Sequence, residues 1–115
     1  MNRIDIILEK EQTNTSKIFI YMLNGRFIAF GYSAYYTALL CPKVIASWSH
    51  TDASSSFVCI CIPDEYLRLL SQKYPTLADD ECIRITPPLN TYRQRDYFRE
   101  WQEQQLHSTP KIDIE

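Results

Sequence analysis

The sequence predicts an α/β domain of the α+β kind, a two-layer molecule in which helices pack on a mixed β-sheet. Three observations carry that prediction. First, Asn24-Gly25 stands between two apolar runs, Ile18–Leu23 and Phe27–Phe30. A two-residue type I′ turn needs positive φ at both central positions, which Asn and Gly tolerate best, so this is a hairpin signature. Second, the apolar run Phe57–Ile62 leads directly into Pro63-Asp64-Glu65, the composition of a helix start. Third, the chain has 115 residues and two glycines. That length suits one domain with its own core, and so little glycine argues against a loop-rich or solenoid design.

In the segment from residue 2 to 9, Ile4, Ile6 and Leu8 alternate with Asp5, Ile7 and Glu9. This predicts a strand, with a helix as the alternative. Thr13–Ser16 is a polar linker, so residues 1–16 read as an N-terminal strand or arm. Ile18–Leu23 is apolar on both faces and predicts a central strand. In the second strand Arg26, Ile28 and Phe30 share one face, and Phe27 and Ala29 the other. Gly31 ends it. Ser33 is placed to cap a helix through Leu40, and Pro42 stops that helix.

Val44–His50 reads as a third strand and Thr51–Ser56 as a mobile loop. Phe57–Ile62 is an interior fourth strand. The following helix has a buried stripe of Tyr66, Leu67, Leu70 and Tyr74, and Pro75 ends it. Cys82–Thr86 is a fifth strand. The order across residues 17–86 is therefore β-β-α-β-β-α-β. Residues 87–115 add a C-terminal helix, 91–107, with an aromatic patch of Tyr97, Phe98 and Trp101 and balanced charges, then a loose tail from Ser108.

Net charge is −2, which argues against a strongly basic nucleic-acid binder. Its distribution is uneven: no acid lies between Glu11 and Asp52, whereas Lys17, Arg26 and Lys43 do. No apolar run approaches the roughly 20 residues of a membrane span, and no signal peptide is evident, so the expectation is a cytoplasmic chain with reduced thiols and no membrane partner. Cys59 and Cys61 alternate on one strand face in a core pattern, and the four cysteines match no zinc spacing, so no metal is expected. The sequence contains no phosphate-binding loop, no nucleophile elbow, and no histidine with a ligand-spaced partner. The expectation is a chain that is not an enzyme and carries no cofactor.

The order of elements, with several residues along it, resembles the N-terminal mismatch-recognition domain of the DNA mismatch-repair protein family MutS. The matching stretches are Ile20–Phe30 followed by Ala34–Leu40, then Cys61-Ile62-Pro63, Tyr66–Leu70, and Cys82–Ile85. The resemblance spans roughly 70 residues. It implies a DNA-binding module for mismatched or distorted DNA, with Lys17, Asn24, Gly25, Arg26 and Phe27 as the binding residues. Arg26 would reach a phosphate or a minor-groove edge, and Phe27 would stack on an exposed base. The family's Gly-Asp-Phe-x-Glu segment is altered here. A gapped alignment puts Ala29 where the family has Glu; an ungapped one puts Arg26 on the Phe and Ile28 on the Glu. Neither retains the acid that hydrogen-bonds the base. The alternative is a protein-interaction module or small oligomer that has lost base recognition, with a protein partner or a second copy bound through the aromatic C-terminal helix.

Overall fold

A computed structural model describes residues 3–52 and 56–114. The class is the expected α+β. The elements are α1 (Arg3–Gln12), β1 (Ile18–Leu23), β2 (Arg26–Phe30), α2 (Gly31–Leu40), β3 (Ser47–Ser49), β4 (Phe57–Cys61), α3 (Asp64–Lys73), β5 (Thr76–Ala78), β6 (Cys82–Ile85), α4 (Leu89–Tyr92), a 3₁₀ turn (Arg95–Tyr97) and α5 (Phe98–Ser108). Among the described residues, six strands form one sheet in the order β3-β4-β2-β1-β6-β5.

Every pairing in that sheet is antiparallel, which corrects the mixed sheet expected from sequence. The physical reason is that each helix returns the chain to the end of the sheet from which the next strand must run opposite to its neighbour. β5 is also new. The segment after Pro75 contributes three residues at the sheet edge, too few for a periodic signal.

The two-layer expectation is corrected as well, because both faces of the sheet are covered. On one face Ile18, Ile20, Ala29, Val58, Ile60 and Ile85 pack under α2, α3 and α5. On the other, Tyr21, Ile28, Phe30, Phe57 and Cys59 pack under α1 and the C-terminal residues Ile112 and Ile114. The N-terminal strand is thus a helix. Ile4, Ile7 and Glu11 are its buried face at helical spacing, while Ile6 is exposed. The expected alternation in that segment misassigned Ile7, which is apolar because it faces the sheet. The tail is not loose through its length: Trp48 N–H donates to Pro110 O at 3.1 Å and Ile112 N–H to Trp48 O at 2.9 Å, so the tail pairs with the outer edge of β3.

Five expected boundaries shift, the first being the strand expected over Cys82–Thr86, which ends at Ile85. The third strand shortens to Ser47–Ser49. The fourth ends at Cys61. The single C-terminal helix breaks into α4, the 3₁₀ turn and α5. The helix after the hairpin starts at Gly31, not behind a Ser33 cap. The expected loop at Thr51–Ser56 includes residues 53–55, which lie outside the described residues. No described helix is long and apolar enough to cross a membrane.

Candidate nucleic-acid interface at the hairpin end

The β1–β2 turn has the expected conformation. Asn24 has φ 52° and Gly25 φ 75°, and Leu23 stands opposite Arg26. A Cβ on Gly25 would meet nothing within 4 Å, so glycine is required there for its dihedral alone. Both turn residues are exposed.

Strand alternation divides the next two candidates. Arg26 lies on the face shared with the C-terminal tail. Its guanidinium donates to Asp113 O at 2.8 Å and approaches Cys61 Sγ at 4.0 Å. Asn24 Nδ2 donates to Ile114 O at 2.7 Å, so the end of the tail straps the hairpin. Phe27 lies on the opposite face, paired across β1 with Met22 and partly buried against the helical side of the core. Its ring lines two shallow depressions. One, of about 300 Å³, runs from Gly25 to Pro63 and Asp64. The other, of about 470 Å³, lies between α3 and the sheet and is lined by Leu67, Arg68, Ala78 and Ile83. The ring is therefore a wall of an open groove and not a projecting wedge.

Lys17 is not part of this constellation. It precedes β1, seven residues from Asn24, on the order of 20 Å away along an extended strand. Its ammonium donates to Thr86 Oγ1 at 3.1 Å, and its backbone is bracketed by the Asn14 side chain. The acid-free stretch thus does not fold into one positive patch: Lys17 and Arg26 occupy opposite ends of β1–β2, and Lys43 lies in the α2–β3 connection. Acids from elsewhere reach the hairpin end. Asp79-Asp80-Glu81 form the β5–β6 turn beside it, because Cys82 stands opposite Tyr21 in register. Asp64 opens α3 next to Phe27. Arg3 bridges Met22 O and Glu81 O at 3.2 and 3.3 Å, tying the two turns together.

The thiols are held protonated. Burial pushes Cys59 up to about 12, and burial also raises Cys61, against which Arg26 pulls. Among the described residues no three His, Cys, Asp or Glu side chains converge as metal ligands.

Sequence reasoning missed the most developed polar cluster. Glu11, 3 % exposed, reaches from α1 to the N-terminus of α2. Its Oε1 accepts from Ser33 N–H at 2.9 Å and its Oε2 from the Ser33 hydroxyl at 2.7 Å. Ser33 Oγ in turn accepts from Phe19 N–H at 2.9 Å and from Asn14 Nδ2 at 3.2 Å. Phe30 at the helix N-cap offers no side-chain bond, so a carboxylate from another helix supplies the missing acceptor. Gly31, at φ 54°, is fixed there because a Cβ would come within 3.2 Å of Glu11 Cβ. Burial raises the Glu11 pKa and the hydrogen bonds from Ser33, Asn14 and Tyr32 lower it, with burial dominant. The signal in the sequence was the apolar residue where a helix needs a cap. A depression of about 300 Å³ beside the cluster is lined by Gln12, Tyr32, Phe57, Phe98 and Gln102.

Two of the three aromatics of the C-terminal patch pack within the molecule. Phe98 stacks on Tyr32 with centroids 4.1 Å apart, Trp101 lies 5.2 Å from Tyr35, and the Arg95 guanidinium covers Tyr32 at 4.1 Å. Phe98 and Trp101 are partly buried against α2, while Tyr97 stays 60 % exposed.

Comparison with known proteins adds no relative: no family model, curated protein or solved structure matches this chain.

Proposed function

We propose that this chain is a non-enzymatic binding module that takes an unpaired or distorted stretch of DNA at the hairpin end of the sheet. The observation that carries the reading is the Phe27 ring, partly buried against the core and lining the groove between the turn and α3. An aromatic wall of this kind suits the face of a base, and base–aromatic stacking contributes about 1–3 kcal/mol. Arg68 lines the same groove, and Arg26 flanks it from the other sheet face. The acids at Asp64 and Asp79–Glu81 disfavour a duplex, whose two phosphate strands would run past them; a single splayed base avoids that repulsion. The order of elements across residues 17–86, allowing for the added β5, supports the same reading through the family it resembles.

Anisotropy titrations at low salt with single-stranded, bulged, mismatched and fully paired oligonucleotides test it. The expected order places single-stranded and bulged DNA above the perfect duplex. With two arginines in play, the slope of log K against log salt is about −1.4 for a single strand. Phe27→Leu keeps the packing and removes the ring, and is expected to weaken binding roughly 5- to 150-fold, the equivalent of the stacking energy. Equal and negligible affinity for all four ligands, unchanged in Phe27→Leu and Arg26→Ala, rules the reading out.

A second reading, a protein-interaction module that has lost base recognition, is favoured by one observation: the carbonyls of Ile114 and Asp113 already hold Asn24 and Arg26. Light scattering over a dilution series separates it from the first.

A further inference from the structure

Phe27 and Asp64 each line both depressions at the hairpin end, the one running from Gly25 to Pro63 and the one between α3 and the sheet. The ring reaches them from β2 and the carboxylate from the first residue of α3. Most polar groups around them are already engaged. Ile62 N–H donates to Phe27 O at 2.7 Å, and Pro63 O accepts from Tyr66 and Leu67 N–H at 3.0 Å. Along the wider depression the Ser71 hydroxyl donates to Arg68 O and the Thr76 hydroxyl to Tyr74 O, both at 2.9 Å. Two charged side chains remain. Among the described residues no hydrogen bond or ion pair holds the Asp64 carboxylate or the Arg68 guanidinium. They stand one turn apart on the same face of α3, and both are exposed. Leu67, Ala78 and Ile83 make the rest of the wider lining apolar. The groove thus offers a flat aromatic wall, one group that only accepts and, a turn further on, one fork of donors.

We propose that this groove selects an unpaired guanine, with the base against the Phe27 ring, its Watson–Crick edge on the Asp64 carboxylate and a neighbouring phosphate on Arg68. The proposal rests on the DNA-binding reading of the groove and names the base it takes. The choice follows from donor and acceptor chemistry. An ionised carboxylate only accepts, through two oxygens side by side. Guanine alone among the four DNA bases presents two N–H donors side by side, at N1 and N2. Adenine and cytosine set a single amino group beside a ring nitrogen that carries a lone pair, and thymine flanks its N3–H with two carbonyls. Each of those bases turns at least one lone pair toward a carboxylate oxygen, which leaves an acceptor facing an acceptor. A base within a duplex has this edge occupied by its complement, so the carboxylate reads a base that has left the stack. Arg68 on the same helix face offsets the repulsion between Asp64 and the phosphates of the strand.

Anisotropy titrations of the full chain at low salt test it, with oligothymidylate strands that differ at one central position. That position holds dG, dA, dC, dT or deoxyinosine, which keeps N1–H and lacks the N2 amino group. The dG strand is expected to bind about 5- to 10-fold more tightly than the dA, dC and dT strands, the lower end of the range for a bidentate pair because the groove is open to water. Deoxyinosine is expected to fall between, a comparison that needs no variant. Asp64→Asn exchanges one acceptor oxygen for a donor at an exposed position. It is expected to bring the dG strand down to the level of the dT strand without weakening the latter. Arg68→Gln is expected to weaken all strands alike, to keep the preference for dG, and to flatten the slope of log K against log salt by about 0.7. Circular dichroism checks the fold of both variants. Equal affinity for all five strands, or a preference for dG that survives Asp64→Asn, overturns the assignment of guanine and leaves the groove as a binding site for unpaired DNA. Failure to bind any strand overturns both.

Discussion

Glu11 concentrates more of the residue-scale physics than any candidate read from the sequence. A carboxylate that is 3 % exposed is costly to ionise, and its bonds to the start of α2 offset part of that cost. Its folded pKa lies above the ordinary value of 4.5. The native state therefore holds this proton more tightly than the unfolded chain does. Above pH 4.5 stability therefore falls as pH rises, until the folded-state carboxyl has itself ionised. Glu11→Gln removes the titration while keeping one oxygen acceptor. The stability of that variant relative to wild type is expected to increase as pH rises above 4.5, read from urea unfolding at each pH. A constant difference across that range would show that Glu11 does not titrate there.

Among the elements, the hairpin was the most legible. Asn24-Gly25 announces its turn locally, because positive φ is a property of those two residues and needs no tertiary partner. Gly25→Val is expected to cost about 1–2 kcal/mol through backbone strain alone, since the space around it is open. Asn24→Gly keeps the turn and loses the bond to Ile114, for about 0.5–1.5 kcal/mol; chemical denaturation midpoints separate the two. β4 was legible for a similar reason, because Phe57–Cys61 is apolar on both faces and lies inside the sheet. The elements that were misread depend on distant partners. α1 looks like a strand until the sheet face beneath Ile4 and Ile7 is known. β5 is a strand because β6 pairs with it. The site suffered in the same way: alternation correctly separated Arg26 from Phe27, but nothing in the sequence places the tail over Arg26 or the acidic turn beside it.

For the molecule as a whole, the two ends of the chain close one face of the sheet, α1 from the start and residues 110–114 from the end. Ile114 is 2 % exposed, and Ile112 packs beside it. Removing residues 110–115 is expected to cost about 2–4 kcal/mol of stability, measured by denaturation, chiefly from the lost burial of these two side chains. It also releases Arg26 and Asn24, so under the DNA reading the truncated chain binds single strands more tightly than the intact one. The last third of the chain also places each of the two tryptophans against a different piece of itself. Trp48 bonds the tail and lies 5.8 Å from the Lys111 ammonium, while Trp101 sits within the Tyr35–Phe98 cluster. The molecule thus contains two native optical reporters. The emission of a Trp48→Phe chain follows the release of α5, that of a Trp101→Phe chain follows the lifting of the tail, and neither needs an attached dye.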